Sequence, residues 1–168
     1  AAPSVLDLTA SFDDVEDGAA GLTYSVVTNT NPALVDASIV GGTLSLTYTT
    51  NANGAADLTI RATDSLGASV DAVFTATIGA VNDIPVANAD SATTNQNTAI
   101  TIDVLENDSD VDEDELTVVF VSSPLNGVVT INAGTTITYT PNEGFSGDDT
   151  FTYIVFDYNG GAATAEVR

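Results

Sequence analysis

The sequence has no cysteine, methionine, tryptophan, histidine or lysine, and its only cationic side chains are Arg61 and Arg168. Without cysteine there are no disulfides, thiolate metal sites or thiol chemistry. Without histidine or lysine, a serine or threonine nucleophile has no partner base, and a zinc hydrolase has no nitrogen or sulfur ligands. A Lys–Asn isopeptide cross-link has no amine to form it. A carboxylate pair for glycoside hydrolysis is arithmetically available, but nothing in the sequence singles one out, so the chain reads as non-catalytic. No run of about 18 apolar residues is present to span a bilayer, and the first residues lack the basic and apolar regions of a signal peptide. The start at Ala1-Ala2-Pro3, with no initiator methionine, suggests a piece of a longer chain.

Carboxylates are abundant. Asp and Glu number 24, giving a net charge of −22. Such a surface repels phosphate backbones and anionic leaflets, which excludes nucleic acid and polybasic membrane docking as partners and favours cations. At 43% hydrophobic residues with repeated β-branched runs, the chain is expected to fold.

Strand-period segments recur along the whole sequence. The first half gives Val5 to Leu8, Leu22 to Val27, Ser38 to Val40, Thr43 to Tyr48, Asp57 to Thr63 and Ser69 to Ile78. The second gives Ala99 to Val104, Leu116 to Val121, Gly127 to Ile131, Thr135 to Thr140, Thr150 to Phe156 and Ala162 to Val167. In the sixth segment Val70, Ala72, Phe74, Ala76 and Ile78 fall on one face, as in a strand buried on one side. Gly41-Gly42, Asn53-Gly54, Asn126-Gly127, Ala133-Gly134 and Asn159-Gly160 supply turn signals. No ten-residue stretch shows a helical period. The pattern predicts an all-β chain of two immunoglobulin-like Greek-key β-sandwiches in tandem, at residues 1–80 and 87–168, with a linker at 81–86. Units of about 80 residues bury only about 60–65% of their unfolded surface and usually need a staple. With disulfides excluded, a bound calcium ion is the staple that remains.

An acidic loop followed by an Asp turn occurs in both halves. Asp14-Val15-Glu16-Asp17 precedes Ala62-Thr63-Asp64-Ser65-Leu66-Gly67, and Asp110-Val111-Asp112-Glu113 precedes Val155-Phe156-Asp157-Tyr158-Asn159-Gly160. Asp103, Glu106, Asp108, Asp110, Asp112, Glu113, Asp114 and Glu115 crowd one stretch with no arginine near in sequence. Two like charges about 4 Å apart cost about 1 kcal/mol even in water, and a divalent cation relieves that repulsion. Oxygen ligands gathered from several loops suit calcium. The stretch from Asp108 is not an EF-hand loop, because Glu113 stands where that loop needs glycine and Val119 where it needs glutamate.

These motifs resemble those of cadherin-like, dystroglycan-type tandem repeats of large bacterial surface adhesins and secreted polysaccharide-degrading enzymes. Ala62-Thr63-Asp64 with Gly67 is similar to their Ala-x-Asp-x-x-Gly, Asp14-x-Glu16 and Asp110-x-Asp112 to their Asp-x-Asp, and Asn82-Asp83-Ile84-Pro85 to a shortened linker motif. Leu22-Thr23-Tyr24-Ser25 and Ile137-Thr138-Tyr139-Thr140-Pro141 through Phe151-Thr152-Tyr153 extend the resemblance over nearly the whole chain. The resemblance implies calcium held by Asn82, Asp83, Asp110, Asp112 and Asp157, with Asn107 or Asp108 nearby, and a second site at Asp14, Glu16 and Asp64. It implies an extracellular or cell-surface module of a bacterial protein, acting as a calcium-stiffened spacer or adhesion segment beside neighbouring cadherin-like domains. The alternative it carries is calcium-dependent binding of polysaccharide. Against that alternative, the chain has no tryptophan platform, Tyr24, Tyr48, Tyr139 and Tyr153 lie at strand spacing, and Tyr158 is the one aromatic expected on a loop.

Overall fold

In the computed structural model residues 3–15, 18 and 21–168 are described. The chain divides into two compact units, Ala1–Val81 and Asn82–Arg168.

The first unit carries β1 (Ser4–Asp7), β2 (Thr23–Asn29), β3 (Val35–Val40), β4 (Thr43–Tyr48), β5 (Gly54–Thr63) and β6 (Ser69–Ile78), with a 3₁₀ turn at Leu8–Ala10. Two antiparallel sheets form, in the orders β1-β4-β3 and β2-β5-β6. Alternation explains the core. Leu44 and Leu46 of β4 point inward, as do Ala56, Leu58, Ile60 and Ala62 of β5, while the residues between them stay more exposed. Leu8, at the start of the 3₁₀ turn, joins the same core. That turn is capped by Asp7, whose Oδ1 accepts from the Thr9 amide at 2.9 Å.

The second unit repeats the plan with β7 (Ile100–Ile102), β8 (Thr117–Val121), β9 (Gly127–Asn132), β10 (Thr136–Pro141), β11 (Phe151–Phe156) and β12 (Ala162–Val167). Its sheets run β7-β10-β9 and β12-β11-β8. Ile137 and Tyr139 of β10 meet Phe151, Tyr153 and Val155 of β11 in the core, with Tyr139 and Phe151 stacked at 6.2 Å.

All twelve strand segments are found, with shifted ends. β3 begins at Val35 and β5 at Gly54, so Asn53-Gly54 leads into a strand instead of turning a hairpin; Asn126-Gly127 likewise leads into β9. Gly41-Gly42 and Ala133-Gly134 do take positive φ between paired strands. β6 departs most from expectation. Val70 is 58% exposed and Ala72 is exposed, while burial reaches only half at Phe74, Ala76 and Ile78.

Candidate metal centre

The alternation that builds the core also delivers the key carboxylates. Phe151, Tyr153 and Val155 face inward, and the next residue of that parity is Asp157, only 1% exposed. In the first unit the buried series Ala56, Leu58, Ile60 and Ala62 leads in the same way to Asp64. Each Asp closes a turn. Asp157 Oδ1 accepts from the Asn159 and Gly161 amides, both at 2.8 Å. Asp64 Oδ1 accepts from Leu66 at 2.9 Å and Ala68 at 2.7 Å.

Around Asp157 the second unit gathers an oxygen cluster. One carboxylate oxygen each of Asp110, Asp114 and Asp157 lies within 4.8 Å of the others. Asp157 Oδ2 also accepts from Asn82 Nδ2 at 2.8 Å, and Asp112 Oδ2 accepts from the Asp83 amide at 2.7 Å. Asp110 Oδ1 accepts from the Asp112 amide at 2.8 Å, a local turn that folds the acidic loop back on itself. At its tip Glu113 sits at φ +62, a conformation that costs a non-glycine residue about 1–2 kcal/mol. Burial alone would push the Asp157 carboxyl up, but the hydrogen bonds from Asn82 and the 159–161 amides outweigh it and hold the group below its ordinary value. It is a formed anion in an enclosed place.

Two oxygens of the cluster are unmatched. Asp110 Oδ2 and Asp114 Oδ2 are buried and accept no hydrogen bond among the described residues, an expensive condition for a carboxylate. Both arginines are committed elsewhere, Arg61 to Asp71 at 2.7 Å and Arg168 to Asp148 at 3.0 Å. Ligands of one calcium ion lie about 2.3–2.6 Å from it, so its ligand oxygens stand up to about 5 Å apart. The cluster fits that span, and its all-oxygen donor set fits a hard cation.

The site residues expected from sequence fall into three groups. Asp110 and Asp157 bring carboxylate oxygens within 4.8 Å of each other; Asn82, Asp83 and Asp112 are hydrogen-bonded to them or to one another. Asn107 and Asp108 serve a neighbouring network: Asp108 accepts from the Asn88 amide at 2.7 Å and from the Tyr153 hydroxyl at 3.0 Å, and Asn107 Nδ2 donates to Ala89 O at 3.1 Å. Burial raises the Tyr153 hydroxyl far above its ordinary value, with Asp108 and Asp90 adding to the shift, so it acts as a donor. In the first unit, Asp14 and Asp64 line one shallow cleft of about 200 Å³ with Asp13. Glu16 lies outside the described residues. Asp114 was not among the expected ligands. Its signal was the continued alternation Asp110-x-Asp112-x-Asp114, masked by flanking Glu113 and Glu115.

Gly161 sets the approach of the leading segment to this centre. A Cβ there would collide with the Asp157 carboxylate and meet Ile84 Cα and Pro85 Cδ at 3.0 Å. Gly161→Ala is expected to destabilise the second unit by about 1–3 kcal/mol. A calorimetric melt should show that unit's transition lowered by at least several degrees, with the first unit's unchanged.

No curated protein matches the sequence. Among solved structures, an endo-fucoidan hydrolase of glycoside hydrolase family 107 is 21% identical at a TM-score of 0.38 and covers 88% of this chain. The human desmocollin-1 ectodomain is 16% identical at 0.46 over 89%, and protocadherin gamma B7 cadherin domains 1–4 are 14% identical at 0.43 over 89%. This chain spans 27%, 29% and 41% of those chains respectively. The family described as Bacterial Ig domain matches residues 82–168, the whole of the second unit. The chain belongs to the bacterial Ig-domain family.

Proposed function

We propose that this chain is a non-catalytic, calcium-binding β-sandwich module of a larger bacterial surface or secreted protein, and that it serves as a spacer or adhesion segment. The observation that carries the reading is the Asp110, Asp114 and Asp157 cluster with its two buried, unmatched oxygens. A calcium ion supplies the counter-charge that no arginine provides, and Asn82, Asp83 and Asp112 are placed to complete the oxygen shell or to brace it. Bacterial Ig domains are typically non-catalytic, and they are common in surface and extracellular proteins, where millimolar calcium matches a site of modest affinity.

Asn82 and Asp83 open the second unit, so metal at this centre also fixes the segment by which the chain enters it. Pro85 restricts φ there and biases Ile84 toward extended backbone. On this reading calcium stiffens the entry to the unit and gives a spacer its rigidity.

Titration calorimetry is expected to show calcium uptake with Kd on the order of 10⁻⁵–10⁻³ M. Small-angle scattering should give a narrower distance distribution in calcium than in chelator. No uptake at millimolar calcium would remove the metal site; uptake with an unchanged distribution would remove the stiffening and leave a local stabiliser.

A further inference from the structure

The two units share one topology, yet the outward face of one sheet differs between them. Strands β1 to β6 correspond in order to β7 to β12, sheet for sheet. Asp64 and Asp157 each accept from the amides two and four residues on, which aligns β5 with β11 residue by residue. Inward Leu58, Ile60 and Ala62 then match Phe151, Tyr153 and Val155, and outward Arg61 and Thr63 match Ile154 and Phe156. Cross-strand register extends the match, because Ser25 lies opposite Arg61 as Phe120 lies opposite Ile154.

In the first unit this outward face is polar and its groups satisfy one another. Thr28 Oγ1 donates to Thr59 Oγ1 at 2.7 Å, Thr75 Oγ1 to Asp57 Oδ1 at 2.6 Å, and Arg61 pairs with Asp71 at 2.7 Å. In the second unit Phe120, Ile154, Phe156 and Tyr158 stand where the first has Ser25, Arg61, Thr63 and Ser65. Phe120 is 51% and Tyr158 66% exposed, and Ile154 and Phe156 are half-buried. The Phe156 and Tyr158 rings meet edge to face at 5.7 Å. Tyr158 lies beyond the end of β11 at φ +63, a left-handed backbone that a non-glycine residue adopts at a cost. The outward positions beside this strip are Thr117, Thr152, Ala162, Thr164 and Glu166. Of these described residues only Glu166 is charged, on a chain with 24 carboxylates.

We propose that this face of the β12-β11-β8 sheet binds a neutral polysaccharide chain. A pyranose ring offers an apolar C–H face and a rim of hydroxyls. Side chains at neighbouring outward positions stand about 5–7 Å apart along and across strands, so the aromatic strip takes the C–H faces of successive sugars. The threonine hydroxyls beside it are partners for the hydroxyl rim. Charge selects a neutral chain: the net charge of −22 repels anionic glycans, and a face with one carboxylate has little to hold a cationic partner. Area disfavours a protein surface, because three strands about 4.8 Å apart and about 20 Å long present roughly 300 Å², against about 800 Å² per partner in a stable protein complex. None of the four strip residues belongs to the Asp110, Asp114 and Asp157 cluster, so binding does not pass through an ion.

The test titrates the whole chain, in millimolar calcium, with neutral hexasaccharides of β-glucan, β-mannan and β-xylan, followed by heteronuclear NMR. At least one sugar is expected to shift the amides of Phe120, Ile154, Phe156 and Tyr158 and to leave those of Ser25, Arg61 and Thr63 in place. Phe120→Ser and Phe156→Thr each introduce the residue type of the first unit's own face, and each should weaken binding about tenfold. Phe120 is the more exposed of the two, so its replacement leaves the core intact. Asp110→Asn with Asp114→Asn should bind sugar as the parent does. No shift with any of the three sugars, or parent-like affinity in either aromatic variant, would overturn the proposal. Loss of binding in the double asparagine variant would overturn it by placing the sugar on a metal ion. Shifts at the same amides that rise with protein concentration alone, together with a doubled sedimentation mass, would overturn it in favour of a second copy.

Discussion

At 10 mM free calcium the second unit is expected to melt about 10–20 °C higher than in chelator, and Asp157→Ala should remove most of that rise. The size follows from linkage. With Kd on the order of 10⁻⁴ M, in the middle of the range for extracellular modules, 10 mM is about 100 Kd and contributes about 2.7 kcal/mol. A domain of this size shifts by about 4–8 °C per kcal/mol. Asp157 carries the effect because it is the most buried member of the cluster and is already held as an anion by Asn82 and the 159–161 amides. Its truncation has a second cost: the Asn159 and Gly161 amides and the Asn82 amide lose their acceptor, about 1–3 kcal/mol in chelator as well. Asp157→Asn separates the two effects. It retains a side-chain oxygen for the turn but loses the charge, so it should melt closer to the parent in chelator and still fail to respond to calcium. Scanning calorimetry with the metal varied checks all three chains. A parent melt indifferent to calcium would show that the cluster holds no ion.

The strands were legible because period-2 burial is written directly in β4, β5, β10 and β11, where inward residues alternate with more exposed ones. Asp64 and Asp157 stand out in the sequence through the repeated Asp turn, and the structure sets each at the end of a buried face. Strand ends were less legible. Asn53-Gly54 and Asn126-Gly127 have the composition of a tight hairpin, but pairing with β6 and β10 draws both glycines into strands. The exposure of Val70 and Ala72 was hidden for a different reason. Alternation tells which face is apolar and does not report how deeply that face is buried. The resemblance implies Asn107 or Asp108 near the ligands, and the structure hydrogen-bonds these two residues to Asn88, Ala89 and Tyr153. Those contacts span long separations that spacing within one loop does not encode.

The second large effect has the opposite sign in chelator. Replacing both Asp110 and Asp114 by asparagine is expected to raise the melting temperature of the metal-free second unit by about 5–15 °C while abolishing its calcium response. In the parent, three carboxylates hold oxygens within 4.8 Å of one another, and each like-charge pair at about 4 Å costs about 1 kcal/mol in a water-like medium and more in a less polar one. The double change leaves Asp157 as the single charge and removes all three pairings. Asparagine also brings amide donors to positions where Asp110 Oδ2 and Asp114 Oδ2 find none, so Asp157 gains protein partners where the ion would have stood. The gain in chelator is therefore about 1–3 kcal/mol, and with two charged ligands gone the ion has too little to hold it. Without calcium the variant should outlast the parent; in 10 mM calcium the parent should match or exceed it. That crossing of the two melting curves is specific to a metal site, since acids that merely crowd a surface would give the variant the same advantage with and without calcium. A uniform advantage in both conditions would leave the cluster as unrelieved repulsion.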